Sequence, residues 1–151
     1  MKTKTKIIAV TVILSFSLII ALTFFVRNST FTNVKVESTE MNEIICTKYL
    51  TELGWKISDH PIEVCEITIP QEFNSTYTNY NEIQQKQGFN LKKYRGKNCS
   101  RFTYNVLNYK GTPYGIRANI LLFNGKIIGS DICSVELDGF MHESTLTENQ
   151  L

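Results

Sequence analysis

The sequence predicts an α+β domain: two helices packed on an antiparallel sheet of about four strands, preceded by one transmembrane helix. Three observations carry this reading. Residues Ile7–Val26 form a 20-residue run without charge, Pro or Gly. Two later segments place apolar residues three and four apart, the spacing of one helix face. The segments on either side of Asn124-Gly125 alternate or run apolar, and Asn-Gly is the strongest two-residue hairpin signal because a type I′ turn needs positive φ at both positions.

A helix of 20 residues spans ~30 Å, the thickness of a bilayer core. A cleaved signal peptide is the alternative, but its apolar stretch is usually ~7–15 residues and ends at a small-x-small site. Leu22–Val26 offers no such site, so an uncleaved anchor is the reading taken. Lys2, Lys4 and Lys6 precede the helix, which places residues 1–6 in the cytoplasm and the C-terminal domain outside by the positive-inside rule. Residues 27–38 are polar and read as a tether, 39–142 as the extracytoplasmic domain and 143–151 as a flexible tail.

Without residues 1–27, 47 of 124 residues are apolar, enough for one modest core and too few for several domains. Met41, Ile45, Tyr49 and Leu53 make the first helical stripe, over 39–53, with Gly54 as its left-handed C-terminal cap and Trp55 folding back on the last turn. Ile62–Ile69, rich in β-branched residues between two prolines, predicts a strand. Phe73, Tyr77, Tyr80 and Ile83 make the second helix, roughly Glu72–Gln87, stopped by Gly88. Strands are then expected over Arg101–Tyr109, Ile116–Phe123 and Lys126–Ser134, with Ile116 opposite Cys133 across the Asn-Gly turn.

The ordered blocks TELGW, ITIPQEF, YNEIQQKQGFNLKKYRGK, LNY, IRANILLFNGKIIGSDIC and LDGFMH resemble an uncharacterised bacterial family of small membrane-anchored extracytoplasmic proteins, a domain of unknown function. The resemblance covers about residues 45–142 and implies an outer α+β domain behind a single anchor. It assigns no site residues. Ser130-Asp131 stands where the resemblance leads one to expect Gly-Asp, and Cys46, Cys65 and Cys99 look particular to this chain.

Three constellations could carry chemistry. Four cysteines, Cys46, Cys65, Cys99 and Cys133, allow three complete pairings. The expected sheet puts Cys99 and Cys133 at opposite ends of long strands, too far apart for a bond, and leaves Cys46–Cys65, Cys65–Cys99 or four thiols open. Asp131, Cys133, Glu136, Asp138 and His142 crowd twelve positions, so Cys133, Asp138 and His142 are candidates for a thiol nucleophile set, against the blander reading of Cys133 as a packed small hydrophobe. No further Cys/His pair has ligand spacing, so no metal or other cofactor is expected. Finally, charge is segregated: residues 36–82 sum to −7, residues 83–130 carry nine basic residues and no acid, and residues 131–151 carry five acids and no basic residue. Lys92, Lys93, Arg95, Lys97 and Arg101 are the candidate binding patch for an anion, unless neighbouring acidic elements cancel the field.

The slightly acidic outer domain and its predicted side of the membrane argue against nucleic acid. The expected function is a membrane-anchored binding or interaction domain, its partner a protein or an anionic envelope polymer. The alternatives are a Cys-dependent enzyme using Cys133 with His142, and a structural subunit of an envelope complex.

Overall fold

A computed structural model describes residues 38–111 and 115–145. The expected anchor at 7–26, the tether through residue 37 and the tail beyond residue 145 lie outside the described residues. Among the described residues no helix is long and apolar enough to cross a membrane. The chain divides into two compact units, Met1–Glu40 and Met41–Leu151, and the fold is that of the second.

Five strands form one antiparallel sheet in chain order: β1 (Glu63–Thr68), β2 (Asn98–Asn105), β3 (Ile116–Phe123), β4 (Lys126–Ser134) and β5 (Met141–His142). Helix α1 covers residues 38–52 and helix α2 runs Ser75–Lys86, followed by a 3₁₀ turn at Leu91–Tyr94. Helix α1 ends as its sequence predicts. Gly54 takes φ +92°, and Trp55 N–H returns to Leu50 O at 3.1 Å. Helix α2 starts later than expected because Asn74 caps it, its Oδ1 accepting Tyr77 N–H at 2.9 Å.

Successive strand residues point to opposite faces, so the sheet has two different sides. One side carries Phe102, Tyr104, Ala118, Ile120, Leu122 and Ile132, packed against Cys46, Leu50 and Trp55 from α1 and the chain that follows it. The other carries Cys99, Leu121 and Ile128 against Ile69 and Leu91, with Phe73, Tyr77 and Tyr80 from the α2 region joining them. The two helices therefore lie on opposite sides of the sheet.

The Asn-Gly turn forms, with φ +50° at Asn124 and +71° at Gly125, and β3 and β4 have the expected bounds. A bulge between Leu121 and Leu122 shifts their register, so Ile116 pairs with Ser134 rather than Cys133, and Asn119 faces Asp131. One extra residue on the β4 side is enough for this. The expected end of the domain at residue 142 is also corrected. Ser144 is fully buried, and Lys86 pairs with Glu143 at 2.8 Å, so the segment after β5 is packed.

Candidate functional site

All five strands contribute to one cavity on the α2 side of the sheet: Ile67, Arg101, Asn119, Leu121, Asp131 and Met141 form its floor. Helix α2 forms the wall with residues of its first two turns, Ser75 to Tyr80, and with Ile83. The cavity volume is about 470 Å³. That is the size range of small-molecule sites, which combine an apolar lining with a few placed polar groups.

The polar pole of the cavity is a chain of hydrogen bonds across three strands. Tyr80 OH donates to Asp131 Oδ2 at 2.7 Å, and Asn119 Nδ2 donates to Asp131 Oδ1 at 2.8 Å. Thr103 Oγ1 donates to Asn119 Oδ1 at 2.8 Å, which fixes the orientation of the amide. Asp131 is 1% exposed. Burial raises its pKa, opposed by the hydrogen bonds from Asn119 and Tyr80 and by the charges of Arg101 and His142. The Tyr80 hydroxyl is pushed well above the usual phenol range by burial first and by the Asp131 charge second.

Arg101 stands at the same face with one ion pair, Nη2 to Glu63 Oε2 at 2.8 Å. Its Nε–H is buried and has no acceptor among the described residues. The α2 wall contributes the positive end of a helix dipole, with no acidic residue in the first turn.

The structure separates the candidate nucleophile set. Cys133 pairs with Met141 and Ile132 pairs with His142, so adjacent positions send the Cys133 thiol and the His142 ring to opposite faces. Cys133 Sγ accepts from Asn119 Nδ2 at 3.4 Å on the cavity side. The His142 ring stacks on Phe140 and meets Tyr109 OH at 3.0 Å on the α1 side. Burial and Asp131 raise the Cys133 pKa, the reverse of what activates a thiol. Asp138 is exposed in the β4–β5 connection at φ +63°.

The basic cluster is divided too. Lys92 and Lys93 are exposed on the 3₁₀ turn, Arg95 lies over the Phe73 ring at 5.2 Å, and Lys97 is exposed before β2. Of the five basic candidates, Arg101 alone lines the cavity. All four cysteines are free thiols. Cys99, next to the Ser100–Leu122 pair, and Cys133, opposite Arg117, sit at opposite ends of the sheet, as expected. Cys46 and Cys65 are on opposite sides of it: Cys46 packs with Phe102, and Cys65 pairs with Arg101.

Tyr80, Asn119 and Thr103 were hidden in the sequence. Tyr80 reads as part of an apolar stripe, and it is both a core ring and the donor to Asp131. The available signal was polar residues at every second position of two successive strands, Arg101 and Thr103, then Arg117 and Asn119, with Asp131 on the third. A meander whose sheet is covered on both sides should not carry that pattern unless one side encloses polar groups.

Residues 49–132, more than half of the chain, match the family model described as a domain of unknown function (DUF4830). Arg101, Asn119, Asp131 and Tyr80 fall inside the matched segment, and Cys133, Asp138 and His142 fall outside it. No curated protein and no solved structure matches the chain.

Proposed function

The chain belongs to the DUF4830 family, a domain of unknown function, and on that footing we propose that it is a membrane-anchored extracytoplasmic binding domain that holds a small ligand in the cavity beneath α2. The observation that carries the reading is the cavity itself. Every strand contributes to its floor, and a fixed polar pole, Tyr80–Asp131–Asn119, stands among apolar walls. Its polar groups are oriented for recognition, and its thiol is set against reaction. The anchor rests on the uncharged run Ile7–Val26 and the lysines before it.

Thermal-shift titration of the full chain in lipid nanodiscs tests the cavity, using a panel of small acids, amines, sugars and short peptides. A saturable shift that disappears in Leu121→Trp, which fills the floor, supports it. A panel without any saturable shift, or the same shift in the variant, removes it. Protease digestion of intact cells against lysed cells tests the orientation: an outer domain is cut in both, an inner one only after lysis.

A further inference from the structure

The cavity holds two charged groups, and they differ in what they can still offer. The two carboxylate oxygens of Asp131 are engaged by Tyr80 and Asn119. Arg101 is underused. A guanidinium carries five N–H donors and is always charged. Among the described residues its single ion pair is Nη2 with Glu63, and its Nε–H has no acceptor at all. The side chain of Glu63 is half exposed, so that pair competes with water and yields to a better acceptor more easily than a buried one would. The positive end of α2, with Ser75 and Thr76 on the cavity wall, adds to the preference for a negative group.

Apart from Asn79, Asn119, the Tyr80 hydroxyl and the α2 start, the rest of the lining is apolar. Ile67, Leu121, Met141, Ile83 and the Tyr77 ring supply walls that no charged group would favour. A ligand suited to this site therefore has one anionic end and an apolar body. The charge count selects among anions. Among the described residues Arg101 is the one cationic side chain on the lining, and any anion on it also meets the Glu63 and Asp131 carboxylates, so a doubly charged phosphate is repelled more strongly than a singly charged carboxylate.

We propose that the cavity binds a small carboxylate amphiphile, its head group on the Arg101 guanidinium and its apolar body against Tyr77, Leu121 and Met141. The proposal deepens the binding reading above and rests on it.

Calorimetric titration of the full chain in nanodiscs, referenced to empty nanodiscs, tests it with four probes of equal length: hexanoate, hexylamine, hexan-1-ol and hexyl phosphate. Hexanoate is expected to bind saturably, with a Kd at least tenfold below those of the other three. Arg101→Gln should raise the hexanoate Kd at least tenfold and leave the hexanol titration unchanged. Glu63→Gln, a change at a half-exposed edge position that spares the fold, should tighten hexanoate several-fold by releasing the guanidinium. Leu121→Trp should abolish hexanoate binding. If hexylamine, hexanol or hexyl phosphate binds as tightly as hexanoate and is lost in Leu121→Trp, the carboxylate assignment is wrong while the cavity still binds ligands. Hexanoate binding that survives Leu121→Trp, or that Glu63→Gln leaves unchanged, overturns the placement of the head group or body. If no probe binds saturably, the carboxylate assignment falls, and the cavity reading then stands or falls on the wider panel above.

Discussion

Gln84 supplies the edge of β4 with the acceptor that a neighbouring strand would give: its Oε1 takes the Ser130 backbone N–H at 2.7 Å. Gln87 completes the exchange by donating its Nε2 to Ser130 O at 2.8 Å. The strand pairing of β5 covers only Ile132 and Cys133, so α2 closes the edge just beyond it with side-chain amides. Gln84→Met keeps the length of the side chain but leaves the Ser130 donor buried without an acceptor, a cost of ~1–3 kcal/mol. Loss of the unpartnered Gln84 Nε2 offsets part of this. The net expectation is a loss of about 1 kcal/mol, read as a lower urea midpoint at unchanged slope.

Gly129 exists because of that amide. A Cβ there would lie 2.9 Å from Gln84 Oε1 and 3.3 Å from its Cδ. The amide cannot retreat without releasing Ser130. Gly129→Ala should destabilise by roughly 1–3 kcal/mol, the usual range for overpacking. In the double variant with Gln84→Ala the cost should fall clearly below the sum of the single costs, since the two residues share one contact. Additive costs would show that the close approach is not what demands glycine.

Ser144 ties the segment after β5 to three elements. Its Oγ meets Ser130 Oγ at 2.6 Å and Gln87 Oε1 at 2.7 Å, and its carbonyl accepts Trp55 Nε1–H at 2.6 Å. Ser144→Ala is expected to cost ~1–2 kcal/mol through the shared hydroxyl bonds. Truncation after His142 removes the indole partner as well, and Trp55 emission should move to longer wavelength as water reaches the ring. Unchanged emission in the truncated chain would contradict the placement of Ser144.

Alkali should unfold the domain earlier than its composition suggests. Burial pushes the Cys46 thiol up to about 12 and the Cys99 thiol up to about 11, and the Tyr104 phenol up to about 12. In the unfolded chain these groups release protons near their ordinary values of 9.0 and 10.0. Between those values and the raised ones the folded state holds more protons than the unfolded state, so stability falls as pH rises. Urea midpoints should be steady up to about pH 8.5 and decline from there toward pH 11. Cys46→Ala should make the decline shallower, whatever it does to the midpoint at pH 7.

The elements set by local pattern were legible. The Asn124-Gly125 turn, the β3 and β4 bounds and the Gly54 cap all follow from short-range backbone chemistry. The bulge lies beside the place where α2 meets the β4 edge, at the approach of Gln84 to Gly129, 45 residues apart in sequence, and no local pattern announces it. Its consequence reached the site, because without the extra residue Asn119 would face Ser130 instead of Asp131. The clustering of Cys133 and His142 within ten residues misled for a related reason. Proximity along the chain says nothing about face until the pairing of β5 is known. The split of the basic cluster was likewise invisible, since Lys97 precedes the strand that carries Arg101 into the cavity.

The bonds of Ser144 also set an order of events. A chain made from its N-terminus exposes Trp55 and Gln87 long before residue 144 has been synthesised. Until then the indole N–H lacks its native acceptor and Gln87 Oε1 lacks the Ser144 donors, although the four-stranded meander can already pair strand by strand. Closure of the domain therefore waits for the last-made of its described elements, and a stalled or clipped chain would keep its sheet and lose its clasp.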